Sequence, residues 1–211
     1  IVDLNINYPS CLAYDVTTGN AYVVDYKRYG SDLYKVDLKD GHLEKVNGIT
    51  GENEWNEKGI YSIACSKKGE LFGIELISDI IYSIDKTTGK AVAIGELGID
   101  SENYQDIAFD RNNGILYGVF NLEDDAKALD QNSFQHSGSK AENGIYQIDV
   151  STGGARLINS TEGLLTGFVI PHHYVFDKYF SSDFTAEPTR GYAPMDVSFQ
   201  DRSSGYFDSW K

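Results

Sequence analysis

The sequence has little cysteine, methionine, proline or positive charge. Its 211 residues include two cysteines, one methionine and four prolines. Two cysteines without C-x-x-C spacing are too few for a disulfide scaffold. Lys and Arg number 18 against 32 Asp and Glu, which gives a net charge of −14. Because an acidic chain repels phosphate backbones, we do not expect nucleic acid as a partner.

Long apolar runs are missing as well. No run approaches the ~20 residues that cross a bilayer as a helix, so we expect no membrane span. Hydrophobic residues make up 41% and charged residues 24%, a balance that excludes a disordered chain. The chain opens at Ile1 and its only methionine is Met195. We therefore expect a processed protein or a piece of a longer one.

Although those features are missing, the sequence contains a short repeated motif, here called a phrase. The pattern apolar, Tyr, any residue, apolar, Asp occurs at 33–37, 81–85 and 145–149. After each copy come a short polar turn ending in glycine and a second alternating run. Alternation of apolar and polar residues predicts half-buried strands, and Asp with Gly suits the hairpin turn between them.

A second phrase precedes each copy of the first. It reads apolar, Ala, any residue, Asp or Ser, at 12–15, 63–66 and 107–110, and a glycine turn and another strand follow it. The unit is therefore four strands joined by hairpins, at approximately 8–50, 59–98 and 104–160. Four-stranded units of this length are typical of β-propeller blades.

The two phrases resemble the divergent propeller repeats of secreted and cell-surface microbial proteins. We expect an all-β chain that forms a partial propeller of three four-stranded antiparallel blades. Because propellers use roughly four to eight blades, the remaining blades are expected in a parent chain or in a second copy. The apolar run at 164–170 is predicted to be an additional, ring-closing strand.

The end of the chain differs from the repeats. Residues 184–205, with Ser209-Trp210 after them, resemble the opening of a PKD domain, an immunoglobulin-like β-sandwich of extracellular proteins. The chain stops at Lys211, before the Trp-Asp-Phe-Gly-Asp-Gly motif of that family. We therefore expect a truncated, extended or poorly ordered sandwich segment at 184–211, after a linker at 171–183. The resemblance implies an extracellular or cell-surface location and a spacer role.

The third repeat carries a long insert between Val119 and Ile145. Long loops in compact domains are often functional. The alternative is that this insert is a mobile, solvent-exposed loop without a function. The candidate ligand-binding residues lie in this insert and in the connections between blades: Trp55, Tyr104, Asp124, Asp125, Asp130 and His136. Glu123, Asp124 and Asp125 form a candidate Ca²⁺ site, because hard oxygen ligands favour that ion. No other cofactor is expected.

Motifs for catalysis do not occur in a suitable context. We therefore expect a non-catalytic binding or adhesion protein, with a protein or glycan ligand. Two alternatives remain open: a secreted propeller enzyme that hydrolyses or eliminates polysaccharide, and a structural spacer without a ligand. Cys11 and Cys65 are predicted to stay unpaired, because strand alternation sends them to opposite faces of their blades.

Overall fold

The computed structural model describes residues 6–27, 30–51, 58–122, 142–165, 167–171, 184–190 and 196–202. The side chains at 102–104 and 201 and all other residues lie outside this description. The chain divides into two compact units, residues 1–170 and 171–211, and each is described by itself. No helix within the described ranges is long and apolar enough to cross a bilayer.

The described residues of the first unit form three four-stranded antiparallel sheets, each in simple sequence order. The first sheet, blade 1, contains β1 Pro9–Asp15, β2 Asn20–Asp25, β3 Asp32–Val36 and β4 Leu43–Gly48. Blade 2 contains β5 Ile60–Cys65, β6 Leu71–Glu75, β7 Ile80–Ile84 and β8 Ala91–Glu96. Blade 3 contains β9 Ser101–Asp110, β10 Ile115–Leu122, β11 Gly144–Ile148 and β12 Ala155–Ser160. The prediction of three blades is confirmed.

The strand registers show that the repeated phrases occupy the same places in every blade. Leu12 pairs with Val23, which pairs with Tyr34. The equivalent paired residues are Ile63, Gly73 and Tyr82 in blade 2. In blade 3 they are Ile107, Gly118 and Tyr146. The blades can therefore be compared residue by residue.

The first strands of the blades are neighbours, because β5 packs against both β1 and β9. The space between blades 1 and 2 is filled mainly by aliphatic side chains, among them Val24, Leu33, Ile60, Ile63 and Leu71. Between blades 2 and 3 the buried side chains are larger and include Phe72, Ile74, Phe109, Phe120 and Tyr146. The blades thus stack face to face, as propeller blades do, and each shared core belongs to two sheets.

The outer strands are joined from one blade to the next by backbone contacts. The amide of Ala155 donates to the carbonyl of Leu97 at 2.9 Å, and the amide of Ala91 donates to the carbonyl of Thr50 at 2.7 Å. Gly153 has a φ of 91°, and a Cβ built there would lie 2.5 Å from the carbonyl carbon of Gly95. Only glycine fits this approach, since both the left-handed backbone and the closeness of the neighbouring chain exclude a side chain.

The expected ring-closing strand at 164–170 is not formed by the described residues of that run. Instead, the Asn121 side chain donates Nδ2–H to the carbonyl of Leu165 at 2.7 Å and accepts from the Leu165 amide at 2.9 Å. A single side-chain amide therefore satisfies the backbone groups that a neighbouring strand would have paired. This correction has a simple cause: an apolar run does not supply a partner strand, and here Leu164 and Val169 are 62% and 81% exposed.

In the second unit, β13 Phe184–Glu187 pairs antiparallel with β14 Ser198–Asp201. The rings of Phe184 and Phe199 lie 5.9 Å apart, and both side chains are largely exposed. This segment is thus a two-stranded ribbon with an aromatic pair on one surface.

Candidate functional site

The candidate site lies on the first strands of the blades, one residue before the repeated apolar-alanine pair. The equivalent positions are Cys11, Ser62 and Asp106, which pair with Val24, Ile74 and Val119 on the second strands. Because β5 lies between β1 and β9, the three positions share one end of the stack. We call these residues, together with Gln105, the axial cluster.

Contacts across the blades show that the axial cluster converges. The Cys11 thiol donates to the carbonyl of Ile63 at 3.3 Å, and its sulfur lies 3.4 Å from Asp106 Oδ1. The second contact joins blade 1 to blade 3 across 95 residues of sequence. Asp106 also accepts from the Ile107 amide at 2.8 Å and, through Oδ2, from the Phe168 amide at 2.9 Å. Asp106 is half-buried.

Two members of the axial cluster are buried without a hydrogen bond. Ser62 is fully buried and Gln105 is 5% exposed. The Ser62 hydroxyl and both ends of the Gln105 amide lack a hydrogen-bond partner among the described residues. Each such group destabilises the fold by about 1–3 kcal/mol. Strand alternation places Ser62 on the face of blade 2 that meets blade 3, and Gln105 on the opposing face of blade 3.

The thiols of the chain are neutral. Burial, assisted by the charge of Asp106, raises the pKa of Cys11 to about 12. Burial likewise raises the pKa of Cys65 to about 11. Since the thiolate is the nucleophilic form, neither cysteine is activated for catalysis. Both are free, as predicted, and although they lie on opposite faces of their own blades they border the same core.

Several carboxylates near the connections between strands already have partners. Asp32 accepts from Lys27 and Lys45, each at 2.8 Å. Glu75 accepts from the hydroxyls of Ser78 at 2.6 Å and Tyr82 at 3.1 Å. These groups are held within the chain, as is Asp106 by the amides of Ile107 and Phe168.

A buried ion pair joins blades 1 and 2 at the other end of the strands. Lys86 Nζ lies 2.5 Å from Oδ2 of Asp15, whose side chain is fully buried. Burial raises the pKa of Asp15, but hydrogen bonds from Lys86, Thr17 and Thr18 outweigh it and hold the pKa well below its usual range. This pair is structural, because it links two sheets and leaves no exposed carboxylate oxygen.

Most residues expected from the sequence at a ligand site lie outside the described part of the chain. These are Trp55, Glu123, Asp124, Asp125, Asp130 and His136. Tyr104 lies in β9, but its side chain is not described. Within the described ranges, no three His, Cys, Asp or Glu side chains are grouped to hold a metal ion. The Ca²⁺ site therefore stays a prediction.

Sequence reasoning missed the axial cluster, although a signal was present. A residue that is small or polar precedes the apolar-alanine pair in every repeat, namely Cys11, Ser62 and Asp106. Superimposing the repeats as blades would have placed these three residues at one end of the first strands. The burial of Gln105 on the face of blade 3 that meets blade 2 has no comparable signature, because it depends on how the sheets stack.

No protein-family model matches this chain, and no curated protein sequence is similar to it. Solved structures with a partly similar fold include hydrazine synthase from Kuenenia stuttgartiensis, with a TM-score of 0.46, 11% identity and coverage of 77% of this chain and 38% of that one. A gluconolactonase from Xanthomonas campestris gives a TM-score of 0.47 at 12% identity, covering 74% and 48%. Aldose sugar dehydrogenase from Streptomyces coelicolor gives 0.46 at 19% identity, covering 70% and 46%. The chain thus spans less than half the length of each.

Proposed function

We propose that this chain is a non-catalytic binding module of a secreted or cell-surface protein, in which the axial cluster contacts the ligand. The observation that carries the proposal is that the buried side chains of Ser62 and Gln105, in the same cluster as Asp106, lack hydrogen-bond partners among the described residues. Such groups are rare in native structures, and each calls for a partner such as a ligand, an ion or a bound water.

The chemistry of the axial cluster favours an uncharged ligand rich in hydroxyl or amide groups. Gln105 offers one donor and one acceptor group, and Ser62 offers a hydroxyl that does both. Asp106 is an acceptor when ionised, and its half-buried position keeps it within reach of solvent. Sugar hydroxyls and peptide amides both match this set, so a glycan or a protein segment is the proposed ligand.

The neutral state of the Cys11 thiol supports binding over catalysis. Its raised pKa removes the nucleophile that would otherwise stand beside Asp106. Asp106 itself accepts two backbone amides, those of Ile107 and Phe168, which anchor it as a positioned acceptor. A positioned acceptor fixes the orientation of a ligand hydroxyl without transferring its proton.

The sequence of the second unit is the ground for the proposed location. Its strands β13 and β14 lie within the segment that resembles the opening of a PKD domain. Modules of that family occur in extracellular proteins, so we propose an extracellular location for this chain. We propose that the segment itself acts as a spacer. The insert that contains Glu123, Asp124 and Asp125 is proposed as a weak Ca²⁺ site, because hard oxygen ligands favour that ion.

A glycan and peptide array, followed by analysis of the recovered ligand, tests this function. The binding proposal predicts that an intact ligand is retained and that Asp106→Asn and Gln105→Leu each weaken binding at least about tenfold. Asp40→Asn, which removes an exposed carboxylate in the β3–β4 turn, is the matched control and should bind normally. Recovery of shortened polysaccharide would support the enzyme alternative, and no ligand for the wild type would contradict binding.

A further inference from the structure

One face of blade 1 is more exposed than the equivalent faces of the other blades, although Ala21 and Val23 on it are buried and Arg111 of blade 3 lies over the Tyr14 ring. We call it the back face of blade 1; it is formed by Leu12, Tyr14, Ala21, Val23, Tyr34 and Val36. Leu12 is 55% exposed, whereas the equivalent Ile63 and Ile107 are 1% and 3% exposed. Tyr14 is 38% exposed, whereas Cys65 and Phe109 at the same position are each 5% exposed. The side chains are apolar in all three blades, so the difference lies in the neighbour.

Blade 3 shows the complementary opening on its other side. We call this the forward face of blade 3; it is formed by Ala108, Tyr117, Ile145 and Gln147. Ala108, Tyr117 and Ile145 are half-buried. The equivalent residues of the first two blades are buried against the following blade. They are Ala13, Tyr22 and Leu33 in blade 1 and Ala64, Phe72 and Ile81 in blade 2.

Within the chain, a forward face always packs on the back face of the following blade. This happens twice, between blades 1 and 2 and between blades 2 and 3. The two open faces are therefore complements of each other. We propose that the back face of blade 1 binds the forward face of blade 3 of a second copy of this chain. Two copies with two such contacts form one closed ring of six blades, within the range that propellers adopt.

The segment after β12 makes its described hydrogen bonds to blade 3 at one end of the forward face, where Val119 is 1% exposed. Its described contacts are with Asp106 and Asn121, which lie at the axial-cluster end of β9 and β10. Tyr117 and Ala108 lie nearer the other end of these strands, where they are directly paired. A second sheet can therefore reach the part of the face that the equivalent blades use.

One side-chain pair gives the proposed contact a specific test. Lys86, in the β7–β8 turn of blade 2, reaches back to Asp15 of blade 1 at 2.5 Å. The residue of blade 1 that is equivalent to Lys86 is the exposed Leu38. The residue of blade 3 that is equivalent to Asp15 is Asp110. In the proposed ring, Leu38 of one copy lies beside Asp110 of the other. A lysine introduced at Leu38 should therefore recreate the ion pair between the two chains.

Sedimentation velocity of the full chain, from about 1 to about 100 μM, tests the proposal. The wild type should sediment as two copies of the 23.4 kDa chain. Leu12→Glu should weaken association at least about tenfold, because it buries an unpaired carboxylate in the contact. Ile77→Glu changes an equally exposed aliphatic residue in the β6–β7 turn of blade 2 and should associate normally. Circular dichroism should show the same fold for both variants, since both sites are exposed within one chain.

The charge-pair variants check the register of the contact. Leu38→Lys should tighten association about two- to fivefold, and adding Asp110→Asn should cancel the gain. Because each copy carries a net charge of −14, added salt should strengthen association of the wild type. The proposal is overturned if the wild type stays monomeric throughout the range, if Leu12→Glu behaves like Ile77→Glu, or if the Leu38→Lys gain survives Asp110→Asn.

Discussion

Replacing Asp79 with asparagine should make the protein more stable at neutral pH. Asp79 lies in the β6–β7 turn, is 7% exposed and has a φ of 51°. Its carboxylate accepts hydrogen bonds from the amide of Ser101 at 3.2 Å and from the Ser101 hydroxyl. Burial raises its pKa from 3.8 to about 6; the Ser101 hydrogen bonds oppose this, and the charge of Asp100 adds to it.

The size and sign of the effect follow from this shift. A carboxyl group with a raised pKa binds more protons in the folded state, so stability falls as pH rises from about 4 to about 6. The pKa of Asp79 is raised by about two units, and each unit corresponds to 1.36 kcal/mol. Above pH 6 the free energy of unfolding is therefore lower by about 3 kcal/mol. Asparagine carries no charge and tolerates the left-handed backbone. Its oxygen can accept the Ser101 amide while its Nδ2–H donates to the Ser101 hydroxyl oxygen.

Urea unfolding at intervals between pH 3.5 and 7.5 measures the effect. The free energy of unfolding of Asp79→Asn, relative to the wild type, should increase by about 3 kcal/mol across this range and level off above pH 7. Ser101→Ala removes the hydroxyl that lowers the pKa of Asp79, so it should steepen the pH dependence. A difference between Asp79→Asn and the wild type that does not vary with pH would refute the reasoning.

Two further substitutions test the contacts between blades by urea unfolding. Gly153→Ala should cost about 2 kcal/mol or more, because its φ of 91° and the backbone of Gly95 both exclude a Cβ. Gly163→Ala meets nothing within 4 Å and should change stability by less than about 0.5 kcal/mol; equal losses would contradict the close approach. Lys86→Met should cost about 3 kcal/mol at pH 7 by leaving Asp15 buried and unpaired. Because the pKa of Asp15 is depressed, this loss should shrink as pH falls below about 4, and a constant loss would argue against the ion pair.

The sequence predicted the blades well because their periodicity is local. Alternation identifies each strand, and an Asp-to-Gly turn fixes each hairpin, so the register of Leu12 with Val23 and Tyr34 follows from residues close in the chain. The same information repeated three times makes the assignment stronger, since a turn that is ambiguous in one copy is clear in another.

The run at 164–170 and the axial cluster could not be predicted by the same reasoning. Whether an apolar run becomes a strand depends on a partner strand, and here Asn121 supplies the pairing from a side chain. The meeting of Cys11 with Asp106 joins positions 95 residues apart. Such contacts arise from the stacking angle of whole sheets, which no local pattern encodes.

Comparison of equivalent positions indicates where this fold leaves room for function. The alanines after the apolar residue, Ala13 and Ala64, are each 5% exposed in the two blades that have a following neighbour. Their small size is required there, because a larger side chain would force adjacent first strands apart. Two residues before the alanine of each first strand, the side chain differs between the blades. It is a thiol in Cys11, a hydroxyl in Ser62 and a carboxylate in Asp106. Chemical variety at this position, beside a constant alanine, means that packing does not dictate its identity. The side chain at this end of the first strands can therefore vary while the blades keep their stack.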